Sequence, residues 1–318
     1  MVVIGRNEGE RLRRCLQSLG GIASQVVYVD SASTDGSVEA ARAMGAEVVA
    51  LDMRMPFTAA RARNDGYERL RALATDARYV QFVDGDCELV AGWMEKAARF
   101  LDEHPGVAAV CGRLREKYPE RTVYNMLCDI EWDRPAGEAK ACGGNSMMRA
   151  GAFESVGGFR ADVIAGEEPE LCVRLRAAGW RIWRLGEEMA LHDAAMTRFG
   201  EWWRRSRRNG HAFAEGAWLH GAPPERHYVS EARRALAWGV VLPVLVLASA
   251  LLDPRCLALF AIYPLQVIRI ALRSELTGKK AWWRAGFLVL GRFPEGLGQL
   301  SFALNRIRRR RSARIDCK

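Results

Sequence analysis

Short apolar, β-branched runs alternate with helical spacing through the first half of the chain. Residues 2–4, 26-VVYVD-30, 47-EVVAL-51 and 79-YVQFVD-84 read as strands. Residues 8–19 put Leu12, Leu16 and Leu19 on one helical face, and residues 37–44 read as a helix stopped by Gly45. Strands alternating with helices imply βαβ units, hence a mostly parallel α/β sheet with helices on both faces. Ligands of such sheets collect beyond the carboxyl ends of the strands. Asp30 and Asp84 each close an apolar strand, so both are expected at one crevice.

After about residue 195 the pattern changes. The stretch 198-RFGEWWRRSRRNGHAF-213 is aromatic and basic, and 222-APPE-225 makes a break. Then 235-ALAWGVVLPVLVLASALL-252 runs for about 18 residues without a charge, at the lower limit for spanning a bilayer. After Asp253-Pro254-Arg255, the run 256-CLALFAIYPLQVI-268 is about 13 residues and fits a re-entrant or interfacial segment. Basic residues flank the pair on both outer sides (Arg233, Arg234; Arg269, Arg273, Lys279, Lys280), which predicts a helical hairpin with both flanks in the cytosol. The block 281–304 carries Trp282, Trp283, Arg284 and Arg292 and suits a helix lying at the interface. The tail 306-RIRRRRSARIDCK-318 would be drawn to anionic lipid. The alternative for 235–304 is the buried helical core of a soluble second domain. The expected organisation is an α/β domain over 1–195, an aromatic and basic helical connection over 196–232, and an apolar, membrane-associated helical region over 233–318.

The 318 residues carry a formal net charge of +9, which points to an anionic partner: a phosphate-bearing ligand, an anionic membrane or nucleic acid. No nucleic-acid recognition module is visible, and the Arg clusters adjoin apolar blocks, so nucleic acid is set aside. The 8 cysteines are scattered without a C-x-x-C pair and read as reduced, mostly buried thiols. The segment 1-MVVIGRNEGERL-12 lacks the pattern of a signal peptide. Neither G-x-G-x-x-G nor a P-loop occurs.

Four stretches carry candidate chemistry. The first is 84-DGD-86: hard divalent cations take carboxylate oxygens, although Asp-Gly-Asp is also good turn chemistry. In 166-GEEPEL-171, Pro169 suits the first turn of a helix, which places Glu167 and Glu168 at its N-terminus as charge decoration or as a general base. In 58-TAARARNDG-66, Arg61 and Arg63 suit a diphosphate or serve as solvated helix charges. In 203-WRRSRRNG-210 the arginines stack one turn apart, toward pyrophosphate or lipid head groups. His192 in 191-LHD-193 stands alone and reads as structural before it reads as a ligand.

In order, 2-VVIGRNEGERL-12, 27-VYVDSASTDGS-37, 63-RN-64, 82-FVDGD-86, 143-GGNSMMR-149, 157-GGF-159 and 166-GEEPEL-171 resemble the family 2 glycosyltransferases of GT-A fold. The basic stretch and apolar tail resemble the membrane-associated members that build bacterial polysaccharides or glycolipids. The resemblance implies a nucleotide-diphosphate sugar donor, Mg2+ or Mn2+, an inverting transfer, and a lipid-linked or glycan acceptor at the cytosolic face of the cytoplasmic membrane. It implies that Arg6, Asn7 and Glu8 line the nucleotide pocket, that Asp30 and Ser33 approach base and ribose, and that Arg63 contacts the nucleotide. Asp84 and Asp86 would hold metal and ribose, Gly143, Gly144 and Asn145 would border donor sugar and acceptor, and Glu168 would be the base. The family commonly has Glu-Asp where this chain has Glu167-Glu168, which leaves Glu167 as the alternative base. Ser31 stands where many members carry a second Asp, which leaves uridine or guanosine open. Other readings are a membrane-tethered nucleotide-sugar binder without catalysis and a nucleotidyltransferase.

Overall fold

A computed structural model describes residues 1–20, 25–55 and 57–308. Most of the polybasic tail expected to meet lipid lies outside the described residues. The chain divides into two compact units, Met1–Ala195 and Met196–Lys318.

The first unit is built on β1 (Val2–Gly5), β2 (Val27–Asp30), β3 (Glu47–Ala50), β4 (Tyr79–Asp84), β5 (Cys87–Leu89), β6 (Val107–Glu116), β7 (Gly137–Ala139), β8 (Ser146–Arg149) and β9 (Arg181–His192). They form a 9-stranded sheet in the order β3-β2-β1-β4-β8-β6-β9-β5, with β7 paired to β9. β3, β2, β1 and β4 run parallel, as the alternating pattern predicts. β8, β5 and β7 enter antiparallel, while β6 and β9 pair in parallel. The helices are α1 (Glu10–Ser18), α2 (Ser37–Ala43), α3 (Ala59–Leu73), α4 (Trp93–Glu103), α5 (Val123–Trp132), α6 (Ala150–Ser155) and α7 (Glu167–Ala177). The apolar faces of the central strands make the core: Val2, Val3, Val27, Val29, Phe82 and the run 107–110 are buried. Burying such side chains contributes about 1.5–3 kcal/mol each.

Local signals fix the helices that matter. Thr58 caps α3, its side chain accepting from the Arg61 N–H. Pro169 lies in the first turn of α7, and Gly179, at φ 87°, follows its end. In the sheet register Gly5 faces Asp30 and Ile4 faces Asp84, so β1, β2 and β4 end side by side.

The second unit is helical: α8 (Phe199–His220), α9 (Val229–Leu236), α10 (Leu242–Ala250), α11 (Ile262–Leu272), α12 (Gly278–Leu290) and α13 (Arg292–Ile307). A π-helical turn, Ala237–Val241, joins α9 to α10 just ahead of Pro243. The proline has no N–H to donate, and the wider turn absorbs that loss. The result is one helical stretch, Val229–Ala250, of 22 residues. A 3-10 turn, Pro254–Ala261, leads into α11, giving a second stretch, Pro254–Leu272, of 19 residues. The second apolar run is therefore longer than the segment 256–268 predicts, because the 3-10 turn extends it at the start and α11 continues past Ile268. Both stretches reach about 30 Å, the thickness of a bilayer core.

Only 11% and 6% of their apolar windows are buried, unlike the core helices of a soluble domain. The block 281–304 is two helices divided at Gly291, not one interfacial helix. On α12, Ala281, Ala285 and Val289 face inward while Trp282 and Trp283 are exposed. α13 lies closely along α8: a Cβ on Gly210 would meet the Glu295 backbone, and one on Gly298 the Arg207 backbone.

Candidate active site

Two loops at the ends of β1 and β2 are tied together by their own polar side chains. The Asn7 N–H donates to Ser33 Oγ (2.9 Å), and the Thr34 N–H donates to Asn7 Oδ1 (2.8 Å). Asp30 is buried; Tyr28 Oη donates to its Oδ1 (3.0 Å) and the Ser33 N–H to its Oδ2 (2.9 Å). Asn7 sits at φ 55°, a left-handed conformation that Asn tolerates. Glu8 is buried and paired with Arg11 (2.6 Å), and Arg6 is half-buried in the same loop.

The second assembly centres on Arg63. The α3 helix carries this guanidinium into the interior, where it is 2% exposed. Its Nη1 donates to Glu167 Oε1 at 2.7 Å and lies 3.0 Å from Glu168 Oε1, while its Nη2 donates to Asp84 Oδ1 at 2.8 Å. One guanidinium thus joins the end of β4 to the start of α7. Burial opposes its charge, but Glu168, Asp84 and Glu167 overcome that and hold its pKa above the ordinary arginine value. Arg63 therefore faces three carboxylates and is buried among them. Arg61 donates to the backbone oxygens of Met55 and Asp52.

The two glutamates are not equivalent. Glu167 is a buried counter-ion of Arg63. Glu168 keeps 16% of its side chain exposed. Its pKa is pushed up to about 8, first by burial and next by the Glu167 carboxylate, with Arg63 acting in the opposite direction. A carboxyl poised near neutrality and partly open is suited to take a proton.

Gly144 forms the wall beside them. A Cβ there would run into Arg63 Nη2 and lie 2.7 Å from Asp84 Oδ2 and 3.0 Å from Glu168 Oε1, so any other residue would have to displace the Arg63–Asp84 pair. Asn145, buried beside it, accepts from the Asp84 N–H (3.1 Å) and donates to Cys87 Sγ (3.3 Å), which fixes the turn through Gly85. Gly143 has open space around its Cα.

The third assembly gathers around His192, the last residue of β9. It pairs with Cys87 of β5 on one side and Glu116 of β6 on the other. Its Nε2 lies 3.5 Å from Asp86 Oδ1 and its Nδ1 3.6 Å from Glu116 Oε2. Burial lowers the imidazole pKa, but Asp86 and Glu116 outweigh it and the net shift is upward. Asp86, Cys87 and His192 bring one ligand atom each to within 4.8 Å of one another. Burial and the nearby Asp86 and Asp84 charges push the Cys87 thiol up, and its Sγ is already engaged, accepting from Asn145 Nδ2 (3.3 Å) and lying 3.7 Å from Asp86 Oδ1, so the open donors are a carboxylate and an imidazole. That set fits a divalent cation such as Mn2+.

His192, which reads first as structural from its sequence neighbourhood, thus stands beside Asp86 in this cluster. Asp84 and Asp86, one residue apart in the 84-DGD-86 motif, part company: Asp84 faces Arg63, and Asp86 faces His192.

Residues 1–157 match the model for glycosyl transferase family 2. The chain is 30% identical over 210 residues to the pre-mycofactocin glycosyltransferases of Mycobacterium tuberculosis strains CDC 1551 / Oshkosh and ATCC 25618 / H37Rv. The alignment covers 61% of this chain and 42% of each relative, so the chain spans less than half the length of these curated relatives. A mannosyltransferase from Pyrobaculum calidifontis, solved with GDP-Man and Mn2+, has a similar fold: TM-score 0.62 at 22% identity, covering 94% of this chain and 86% of that one. The α/β architecture is therefore the GT-A fold.

Proposed function

Residues 1–157 belong to glycosyl transferase family 2, and from that premise we propose that the chain moves a sugar from a nucleotide-diphosphate sugar to an acceptor hydroxyl, with inversion. The observation that carries this reading is the single guanidinium of Arg63 holding Asp84, at the end of β4, and Glu168 in one assembly.

Glu168 takes the proton from the acceptor hydroxyl. The acceptor oxygen forms its bond to the anomeric carbon as the bond to the diphosphate breaks, and the electron pair leaves with the diphosphate. Glu167 and Arg63 keep the Glu168 carboxyl in place, and Gly144 leaves the space beside it clear. Asp86 and His192 are the residues that would hold a divalent cation, with imidazole favouring Mn2+ over Mg2+. Such a cation, when bound, supplies positive charge to the diphosphate leaving group. Asp30, Ser33, Asn7, Glu8 and Arg6 lie at the neighbouring strand ends and are assigned to the nucleotide.

The test is turnover of a panel of UDP- and GDP-sugars with a membrane lipid extract as acceptor, with Mn2+ and with chelator. Metal-dependent release of nucleoside diphosphate is expected. Release of pyrophosphate, or no donor consumption at all, contradicts the reading.

The acceptor is assigned as lipid-linked or glycan, met at the cytosolic face of a membrane. The support is the pair of exposed apolar stretches, with Leu251 and Leu252 88% and 90% exposed between them. Helices associating through glycines, as α8 and α13 do, are also common in lipid. Anchoring raises the effective concentration of a membrane-bound acceptor. Replacing Val244 and Leu265 by Arg puts a charge in the middle of each stretch, at about 2.5–3.5 kcal/mol apiece if it sits in hydrocarbon. The double variant is expected to move from the membrane fraction to the soluble fraction in a sedimentation assay; an unchanged distribution contradicts the anchor.

A further inference from the structure

The carboxylate of Glu116 closes β6, and no local sequence pattern marks it. Its side chain is 0% exposed. Oε1 accepts from Asn125 Nδ2 (3.0 Å) and the Tyr118 N–H (3.2 Å), and Oε2 accepts from the Ala194 N–H (3.2 Å). Each of these hydrogen bonds comes from an N–H donor, so both oxygens act as acceptors. The remaining direction of Oε2 faces His192 Nδ1 at 3.6 Å, an atom that is buried and has no closer hydrogen-bond partner. The backbone sets this approach, because Glu116 and His192 are register partners and the Lys117 N–H donates to the His192 carbonyl (2.8 Å). Trp132 presses edge-on against the imidazole, with centroids 4.5 Å apart at 65°, and limits its rotation. Asn125 is itself fixed, since the Thr122 side chain accepts from its N–H at 3.1 Å.

We propose that Glu116 is a positioning residue for a divalent cation: it holds the proton of His192 on Nδ1, so that Nε2 presents its lone pair beside Asp86. This inference rests on the metal-assisted reading given above. A carboxylate facing one ring nitrogen dictates which tautomer the imidazole adopts and how the ring is oriented toward a metal at the other. Such partners are worth roughly 10–100-fold in metal affinity.

Substitution by glutamine discriminates sharply. Its amide oxygen can still accept from Asn125 and Tyr118, but its NH2 group then faces Nδ1 and leaves the Ala194 N–H without its acceptor; the flipped amide would instead strip both Asn125 and Tyr118 of theirs, so the first orientation costs less. Nδ1 must accept, the proton moves to Nε2, and the lone pair aimed beside Asp86 is lost. A purely structural role would leave metal binding untouched in a folded variant.

The experiment is titration of the whole chain with Mn2+ alone, read by the electron paramagnetic resonance of free Mn2+, for wild type, Glu116→Gln, His192→Ala and the double variant, with circular dichroism as the check on folding. Glu116→Gln is expected to weaken Mn2+ binding roughly 10–100-fold, and the double variant to bind no worse than His192→Ala. Wild-type affinity in folded Glu116→Gln overturns the inference while leaving the glycosyltransferase reading intact, because donor turnover by the wild type is a separate readout. Absence of Mn2+ binding by the wild type overturns both the inference and the metal part of that reading. Should Glu116→Gln fail to fold, nitrogen NMR of the wild-type chain loaded with Zn2+ decides. A His192 that keeps its proton on Nδ1 and takes metal on Nε2 supports the assignment; metal on Nδ1 overturns it.

Discussion

Replacing Asp86 by Ala is expected to reduce sugar transfer by roughly three orders of magnitude. The figure follows from the several kcal/mol that a bound cation contributes to a developing charge, at about 1.4 kcal/mol per tenfold in rate. Asp86 brings the sole carboxylate of the cluster it forms with Cys87 and His192. Asp84 is a poor replacement: Arg63 Nη2 binds its Oδ1 at 2.8 Å, and pulling it away would leave that buried guanidinium short of a counter-ion. The side chain of Asp86 is 19% exposed, so its removal opens little of the core, and the melting temperature is expected to stay close to wild type. Rates are to be measured over a range of Mn2+ concentrations. A variant that keeps more than about a tenth of wild-type kcat at saturating Mn2+ would take the metal role from Asp86.

The second large effect belongs to Glu168. Glu168→Gln keeps the shape and loses the ability to accept a proton, and kcat is expected to fall roughly 10²–10⁴-fold. Donor affinity is expected to survive, since the base acts on the acceptor. The pH profile gives a second handle. The base works deprotonated, and its pKa is pushed up to about 8 by burial and by Glu167. kcat/KM should therefore climb as pH rises through about 8 and level off above it, since this ratio reports the free enzyme. In Glu168→Gln that rise should vanish. Persistence of the same limb in the variant would assign the base to another group, with Glu167 the first to examine. Glu167→Gln is a different perturbation, because it strips Arg63 of the partner at 2.7 Å.

The placement of these residues is legible in the sequence to unequal degrees. The β-branched runs at β1, β2 and β4 and the acids that close β2 and β4 follow from local patterning, and the parallel register brings their ends together. The helix start at Gly166-Glu167 follows from Pro169. The different partners of the acids do not follow. Arg63 reads as a diphosphate ligand when only the charges on its own helix are considered; that it is buried against α7 and β4 depends on contacts from residues far along the chain. His192 and Glu116 stand alone in their sequence neighbourhoods. They meet Asp86 and Cys87 because β9 pairs with both β5 and β6, and non-local register leaves no trace in a short window. In the helical unit, the apolar runs show where the helices lie, but counting uncharged residues undercounts the stretch that Pro254 opens.

The acids beyond β4 are expected to receive a sugar nucleotide together with a cation. Calorimetric titration of the whole chain with UDP- and GDP-sugars, in Mn2+ and then in chelator, tests this most directly. Saturable binding of at least one donor in Mn2+, lost in chelator and lost in Asp86→Ala, is the predicted result. A folded chain that binds none of them in Mn2+, or binds one equally well in chelator, would contradict it.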